Sequence, residues 1–258
     1  MATPSSQVIA IWVKHALVGQ NWSSLEDVCV LAVSNNWAGV SETQIYELVE
    51  QNLPYVAEHL RDDASECTMD GAAPSFEIDN EQLPYIRALS SSGRDLLVKL
   101  RTIDPSSVEK ICAEVLVKLG AEAQATQQTH DGGVDFLGLH LRIVSSEFGV
   151  PVACRAAVIG QTKRYKETNA IKETMLREFV GAATLRRHEL QREGKIGPLA
   201  PVLYAFWTTS SFDPNAKRFA RAIGLWYMDG LTLANYVDGL GLRNSVMSQP
   251  DGAAIRSC

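Results

Sequence analysis

Two apolar stretches in the middle of the chain decide its fold: HDGGVDFLG at residues 130–138 and VACRAAVIGQTK at residues 152–163. Both carry β-branched residues and are bounded by glycines, a composition typical of β-strands. Side chains alternate between the two faces of a strand, so Gln161 and Lys163 point to one side and Thr162 points to the other. If the two strands are neighbours, Asp135 can lie beside Gln161 and Lys163 at the end of an apolar sheet.

These polar groups are suited to the cleavage of a phosphodiester bond. A carboxylate and an ammonium at the end of a buried strand are costly unless they are paired or used. Asp135 would hold a divalent cation through oxygen, as Mg²⁺ prefers. The cation would activate a water molecule, and Lys163 would orient that water or the phosphate. The alternative is a structural ion pair between Asp135 and Lys163, and spacing alone does not choose between the two interpretations.

Length and composition indicate an ordinary soluble globular protein. The chain has 258 residues, of which 46% are hydrophobic and 21% are charged, enough for one large domain or two smaller ones. The apolar run at residues 8–13 is too short for a membrane span and lacks the features of an export signal. The five cysteines are scattered and contain no C-x-x-C pair, which favours reduced thiols over disulfides or a zinc site. We therefore expect a cytoplasmic protein without a membrane segment.

Charge is distributed unevenly along the chain. Residues 1–104 contain 6 Lys and Arg against 15 Asp and Glu, a net charge of −9, whereas residues 105–258 contain 18 against 15, a net charge of +3. Within the second part, residues 155–187 hold eight basic residues and only three acids. The asymmetry predicts an acidic domain followed by a mildly basic one that could face phosphates.

The first predicted domain, residues 1–100, is mainly helical. Its predicted elements are four short helices, Ser5–Val18, Ser24–Trp37, Ser41–Asn52 and Tyr55–Arg61, followed by two short strands, Glu66–Met69 and Ser75–Ile78. Helices followed by a hairpin are typical of a winged helix, a relative of the helix-turn-helix DNA readers. Acidic residues crowd the last helix and the hairpin and would repel a phosphate backbone. Partner-protein binding is therefore favoured over DNA recognition, although both interpretations stay open.

A helical linker is expected over Asn80–Ile103, with the domain boundary between residues 90 and 104. The second predicted domain, residues 101–243, begins with a helix capped by Asp104 and Pro105 and ended by Gly120. Strands and helices then alternate, which predicts an α/β sandwich with a mixed central sheet flanked by helices. The predicted strands are 121–128, 134–143, 152–163, 202–209 and 225–228, and the predicted helices are 170–190, 213–224 and 231–240. Residues 244–258 carry no periodic apolar signal, so we expect a flexible tail.

The order of these pieces resembles the Mrr-like branch of the PD-(D/E)xK nucleases, the restriction-endonuclease-like fold. The resemblance rests on a helix with Glu109, on Gly132-Gly133-Val134-Asp135, and on Gln161-Thr162-Lys163-Arg164-Tyr165. It continues through Gly181-Ala182-Ala183, Trp207-Thr208-Thr209-Ser210-Ser211-Phe212 and Asp229-Gly230-Leu231, and it covers roughly residues 104–238. In that branch the second acid of the motif is commonly a glutamine, as Gln161 is here.

The resemblance implies roles for individual residues. Asp135 would be the main carboxylate ligand of Mg²⁺ or Mn²⁺, Gln161 would stand in for the second acid, and the backbone carbonyl of Thr162 could add a ligand. Lys163 would position the attacking water, and Glu109 would orient Lys163 or hold a water of the metal ion. The interval between Asp135 and Gln161 exceeds a tight hairpin, so an excursion near residues 145–149 is expected to overhang the site.

The resemblance implies a Mg²⁺-dependent DNA endonuclease that acts in bacterial defence against foreign or modified DNA. Phosphate contacts are expected from five basic residues, Arg164, Lys166, Lys172, Arg186 and Arg187, for which solvated charges are the alternative explanation. Two other functions are considered, a catalytically silent domain that binds nucleic acid or protein on the same fold, and a structure-specific resolvase. A homodimer or larger assembly is expected, because cutting both strands of DNA usually takes two sites.

Overall fold

The computed structural model of the protein describes residues 3–17, 21–69, 74–89, 92–126, 133–143, 154–165 and 169–252. The chain divides into two compact units, Met1–Ser91 and Ser92–Cys258. The division lies inside the interval 90–104 expected from the sequence, and it precedes residue 100 because the helix Ser92–Thr102 packs within the second unit. None of the described helices is long and apolar enough to cross a membrane.

The first unit combines three helices with a small antiparallel sheet. Its elements in chain order are α1 (Ser6–Ala16), β1 (Ser23–Ser24), α2 (Leu25–Asn36), α3 (Glu42–Met69), β2 (Phe76–Ile78) and β3 (Tyr85–Ala88). The strands are ordered β1-β3-β2, and both pairings are antiparallel. The helices and the sheet share one core that includes Ile9, Val33, Leu60 and Ile86. Helix, strand, helix, helix and two strands is the element order of a winged helix.

Serines begin the helices of this unit as their sequence context predicts. Ser5 is the N-cap of α1, and its hydroxyl accepts a hydrogen bond from the Val8 amide at 3.5 Å. Ser41 and Gln44 form a reciprocal capping box at the start of α3. The Ser41 amide donates to Gln44 Oε1 at 2.9 Å, and the Gln44 amide donates to Ser41 Oγ at 3.4 Å. These local signals are confirmed.

Two predictions for the first unit are wrong. The helices expected at 41–52 and 55–61 and the strand expected at 66–69 are all parts of the single helix α3, which continues past Pro54. The linker expected to be helical over 80–103 is helical only in its second half, Ser92–Thr102, and its first half contains β3. Apolar residues at 83, 86 and 89 imitate a helical spacing, but Leu83 is 71% exposed. The buried positions are Ile86 and Ala88, which alternate with more exposed neighbours as in a strand.

The second unit is an α/β sandwich built on a five-stranded mixed sheet. Its elements are α4 (Ser92–Thr102), α5 (Pro105–Lys118), β4 (Glu122–Ala125), β5 (Phe136–Leu141), β6 (Ala156–Lys163), α6 (Glu173–Arg192), β7 (Val202–Thr208), α7 (Pro214–Ala222), β8 (Trp226–Met228), α8 (Gly230–Gly239) and α9 (Arg243–Met247). The strand order is β4-β5-β6-β7-β8. The first two pairings are antiparallel and the last two are parallel. The predicted mixed sheet with flanking helices is confirmed.

Helices cover both faces of this sheet. One apolar cluster joins α4, α5, α8 and α9 to alternate strand residues such as Phe136 and Trp207. A second cluster joins α6 and α7 to the intervening residues, among them Leu137 and Phe206. Alternation along each strand therefore supplies both cores. The ring centroids of Phe136 and Trp207 are 4.7 Å apart, and Gly160 has no side chain where the Phe136 ring lies.

The tail expected to be flexible is ordered through residue 252. Val246 in α9 is completely buried. The Ser245 hydroxyl donates to Glu114 on α5 at 2.6 Å, and Asp251 pairs with Lys99 on α4 at 2.7 Å. The prediction was wrong for 244–252 because one buried valine and a few polar contacts leave no periodic pattern. Residues 253–258 lie outside the described part of the chain.

Candidate active site

The predicted site lies where β5 begins and β6 ends. Phe136 pairs with Gly160, so Asp135 stands opposite Gln161. The Asp135 amide donates to the Gly160 carbonyl at 2.8 Å, and the Asp135 carbonyl accepts from the Thr126 amide at 2.9 Å. These bonds hold the backbone of Asp135 in the sheet one residue ahead of β5. By strand alternation Asp135, Gln161 and Lys163 share one face of the sheet.

The Asp135 carboxylate is held in a defined orientation. Its Oδ2 atom accepts a hydrogen bond from the Thr162 amide at 2.8 Å. Burial raises the pKa of Asp135, while the bond from Thr162 and the charge of Lys163 lower it, and the net shift is upward. The N–H and C=O of a strand residue point to the same edge, so the Thr162 carbonyl is directed to the edge where Asp135 lies.

Gln161 is buried beside the glycine that precedes β5. Its side chain is only 6% exposed. A Cβ atom added at Gly133 would lie 3.0 Å from Gln161 Nε2. Gly133 also has a φ of +103°, a backbone conformation that other residues rarely adopt. Glycine at this position therefore allows the loop to pass close to the amide of Gln161.

Glu109 reaches the same site from α5. It is 9% exposed and lies beside the fully buried Val108. Burial is the main cause that raises its pKa to about 7; the charge of Asp135 raises it further, and the charges of Lys163 and Lys110 lower it. Glu109 is therefore not a solvated glutamate on the surface of the helix. It lies close enough to Asp135 and Lys163 for the charges of both residues to shift its pKa.

Asp135 and Lys163 do not form a direct ion pair. Within the described residues, the Lys163 ammonium has no carboxylate within ion-pair distance and no hydrogen-bond acceptor, although it influences the pKa of both Asp135 and Glu109. The structural ion pair considered as the alternative is thus not formed. The carboxylate of Asp135 and the ammonium of Lys163 therefore stay separate, and both residues are half-buried.

The oxygen donors around Asp135 are suited to a hard divalent cation, which the site would bind with modest affinity. Asp135 offers a carboxylate, Gln161 an amide oxygen and Thr162 a backbone carbonyl, all ligands that Mg²⁺ accepts. No group of three His, Cys, Asp or Glu side chains suited to a metal is found among the described residues. A site with one carboxylate and neutral oxygens carries little negative charge, so it should bind a cation weakly.

The face of the sheet opposite Gln161 is occupied by α5. The Thr162 side chain lies beside the thiol of Cys112, which is completely buried. Burial raises the pKa of this thiol well above its usual range. A neutral, enclosed thiol is not a nucleophile. Cys112 therefore belongs to the packing behind the site.

The basic residues predicted to contact phosphate are not equivalent. Arg164 Nη1 donates to the Ile103 carbonyl at 2.7 Å, and Arg186 is paired with Glu189 at 2.9 Å. Both guanidinium groups thus have partners inside the protein. Lys172 is exposed immediately before α6, and Arg187 is partly buried on that helix. Lys166, together with the excursion near 145–149, lies outside the described residues.

A run of buried hydroxyls supports the site and was missed as a functional feature in the sequence. Thr208, Thr209, Ser210 and Ser211 follow the apolar part of β7 and are all buried. The signal was present, because four consecutive polar residues directly after the apolar β7 run VLYAFW are unusual. Its meaning depends on hydrogen-bond partners about 40 residues away in sequence.

Comparisons with known proteins give one match to a family model and several similar solved structures. A family model described as "Restriction endonuclease" (Mrr_cat) matches residues 100–196. No curated protein matches the chain. Similar solved structures include the MspJI restriction endonuclease in complex with a 27-mer oligonucleotide, at 21% identity and a TM-score of 0.42. The alignment covers 66% of this chain and 38% of that chain.

Two further solved structures are similar at lower or comparable levels. The DNA modification-dependent restriction endonuclease AspBHI is 19% identical with a TM-score of 0.43, and the alignment covers 62% of this chain and 38% of that one. The restriction endonuclease FokI is 12% identical with a TM-score of 0.37, covering 86% and 46%. The chain thus spans less than half the length of each of these solved proteins. The match to the restriction endonuclease family model is confined to residues 100–196, which lie within the second unit.

Proposed function

We propose that the second unit is a metal-dependent DNA endonuclease that uses Mg²⁺ or Mn²⁺. One observation carries the proposal: the Asp135 amide bonds Gly160 and its carboxylate accepts from Thr162, which sets it beside the end of β6, where the charge of Lys163 acts on it without a direct ion pair. A purely structural pair would bring the carboxylate and the ammonium into direct contact. The family match over residues 100–196 supports DNA as the substrate.

The cation would be held by Asp135, the amide oxygen of Gln161 and the carbonyl of Thr162. When bound, it would lower the pKa of a water molecule and offset the negative charge that develops on the phosphate. Thr162 fixes the carboxylate through its amide, so Asp135 keeps one oxygen, Oδ1, outside that hydrogen bond. This orientation is set before any ligand arrives, which reduces the reorganisation needed during the reaction.

Lys163 would place the attacking water in line with the scissile P–O bond. Its ammonium is a compact charge with three donors and can bind both water and a phosphate oxygen. Glu109, whose pKa is raised to about 7, changes protonation state near neutral pH. It would orient Lys163 in its ionised form and accept a proton as the reaction proceeds.

The biological role we propose is defence against foreign or modified DNA, which rests on the restriction endonuclease family match. The first unit would license cutting by binding a partner protein. The solvent-exposed side of α3 carries only acidic charges, from Glu42, Glu47, Glu50, Glu58 and Asp62. These would repel a DNA backbone, which makes α3 a poor helix for reading the major groove.

The nuclease proposal is tested by cleavage of supercoiled plasmid DNA. Wild-type protein with Mg²⁺ or Mn²⁺ should nick and linearise the plasmid, and EDTA should stop the reaction. Lys163→Ala should reduce cleavage to a small residual rate while its circular dichroism spectrum and melting temperature stay close to wild type. Lys195→Ala is the matched control, because Lys195 pairs with an exposed glutamate beyond the end of α6. Equal nicking by wild type and Lys163→Ala would overturn the proposal.

The same proteins separate cutting from silent binding. Asp135→Asn should remain able to shift a DNA duplex in a gel without cleaving it. If wild-type protein shifts the duplex but never cuts under any divalent cation, the silent nucleic-acid-binding domain is the better description. Preference for four-way junctions over linear duplex would instead indicate a structure-specific resolvase.

A further inference from the structure

We infer that Thr209 is a positioning residue that holds the backbone around Lys163 and thereby aims its ammonium at the site. The inference rests on the proposed nuclease function. It extends that function to a residue that is neither a proposed metal ligand nor a proposed substrate contact. Thr209 is completely buried at the end of β7. Burying a hydroxyl is costly unless it is hydrogen-bonded, so its bonds show what it supports.

The Thr209 hydroxyl bonds both backbone groups of Tyr165. It accepts from the Tyr165 amide at 2.9 Å and donates to the Tyr165 carbonyl at 2.9 Å. In a regular parallel ladder, the Tyr165 amide would bond the Thr209 carbonyl. That carbonyl instead accepts from Arg101 Nε at 2.9 Å. The Thr209 hydroxyl therefore replaces the Thr209 carbonyl as the acceptor of the hydrogen bond from the Tyr165 amide.

The residue on the other side of Arg164 is held equally firmly. The Lys163 carbonyl accepts from the Thr209 amide at 3.1 Å and from the Thr208 hydroxyl at 2.8 Å. Arg164 itself donates to the Ile103 carbonyl. The backbone is consequently held at Lys163 and at Tyr165, and the side chain of Arg164 between them is also bonded, although the last paired residue of β6 is Lys163.

We call the hydrogen bonds from Thr208 and Thr209 to the backbone of Lys163 and Tyr165 the clamp. The clamp matters because the direction of the Lys163 side chain depends on the backbone at and after residue 163. The ammonium has no hydrogen-bond or ion-pair partner of its own within the described residues. Its position is therefore set by the backbone and by packing, and not by a contact at its tip. Without the hydroxyl of Thr209, the backbone at Tyr165 would lose two hydrogen bonds. The ammonium of Lys163 would then no longer be held in one position.

Thr209→Val removes the hydroxyl and keeps the shape of the side chain. We expect kcat to fall by about 10- to 100-fold, the loss typical of a catalytic group displaced by about 1 Å. KM for DNA and the Mg²⁺ concentration for half-maximal cleavage should not change, since the proposed ligands are untouched. Thr209→Ser should restore kcat. Thr184→Val is the matched control, because Thr184 bonds only the Val180 carbonyl within α6 and the hydroxyl of Tyr204.

Hydrogen exchange followed by NMR tests the clamp without relying on activity. In Thr209→Val the Tyr165 amide should exchange about tenfold faster or more, while amides in the middle of β7 stay protected. Unchanged exchange at Tyr165 overturns the inference whether or not the protein cuts DNA. Faster exchange with unchanged kcat in an active protein also overturns it. If wild type does not cleave while Tyr165 exchange rises as expected, the nuclease proposal fails and the clamp stands.

The double variant Thr209→Val/Lys163→Ala completes the test. If Thr209 acts through Lys163, the valine should cause no further loss of residual cleavage once the lysine is absent. An additional tenfold loss in the double variant would show that Thr209 acts on the rest of the site, which contradicts a role through Lys163.

Discussion

Replacing Glu109 by glutamine should stabilise the protein at alkaline pH and impair cleavage. The pKa of Glu109 rises from 4.5 to about 7, mainly because the carboxyl is buried. Below pH 4.5 the group is protonated in the folded and unfolded states alike. Above pH 7 it is ionised in both, and the folded protein bears the cost of a buried charge. The stabilising contribution is therefore full below 4.5 and is lost as the pH rises through about 7.

The magnitude follows from the size of this change in proton affinity. Each tenfold change in proton affinity between the folded and unfolded states corresponds to about 1.4 kcal/mol in the free energy of unfolding. After allowance for screening by water at the edge of the site, about 1–3 kcal/mol remains. Glutamine keeps the shape and never ionises. At pH 8 the free energy of unfolding of Glu109→Gln should exceed that of wild type by this amount. This corresponds to a rise in melting temperature of roughly 3–10 °C for a chain of this length. At pH 4.5 the two proteins should melt together.

The assay is thermal unfolding in EDTA at pH 4.5, 6 and 8, with cleavage measured in parallel at pH 8. Glu178→Gln, at an exposed position of α6, is the control and should match wild type at every pH. Cleavage by Glu109→Gln should fall by about tenfold or more, because an ionisable group near Lys163 is lost. Equal melting temperatures of Glu109→Gln and wild type at pH 8, or a gap that widens towards pH 4.5, would refute the reasoning.

Three further substitutions probe the site and the sheet beneath it. Gln161→Glu adds a carboxylate to the proposed ligands and should lower the Mg²⁺ concentration for half-maximal cleavage by about tenfold, as a metal titration would show; no change would argue against Gln161 as a ligand. Phe136→Ala empties a fully buried position against Trp207 and should cost about 3–5 kcal/mol in urea unfolding. Gly160→Ala places a methyl group inside the Phe136 ring and should yield insoluble or unfolded protein, whereas soluble protein of normal stability would contradict the tight pairing of β5 with β6.

Local signals explain why much of the second unit could be predicted. Asp104 and Pro105 begin α5, and Gly120, with a φ of +90°, ends it. Asp213 caps α7 by accepting from the Ala216 amide at 2.6 Å. Apolar runs bounded by turns gave β6 and β7 within a few residues of their observed ends. Each of these features is decided by residues within one helical turn or one strand.

Several of the wrong predictions share one cause, which is that spacing alone does not show which residues are buried. The residues of β3 match a helical repeat until their exposure is known, and Val246 in α9 has no periodic neighbours. The burial of Glu109 in the site could likewise not be predicted, because nothing near it in sequence shows that Asp135 and Lys163 lie close to it. Burial is a property of the assembled unit, and it is the main cause that raises the pKa of Glu109 to about 7.

By itself, the sequence determined which groups could act together. The two-residue period of a strand puts Gln161 and Lys163 on one face, and the double glycine ahead of Asp135 marks where its strand begins. The tertiary structure decided the register of Phe136 against Gly160, the separation of Asp135 from Lys163, and the bonds of Thr209 to Tyr165. Register and buried hydrogen bonds join residues far apart in the chain, so they are set by packing the whole sheet between its helices.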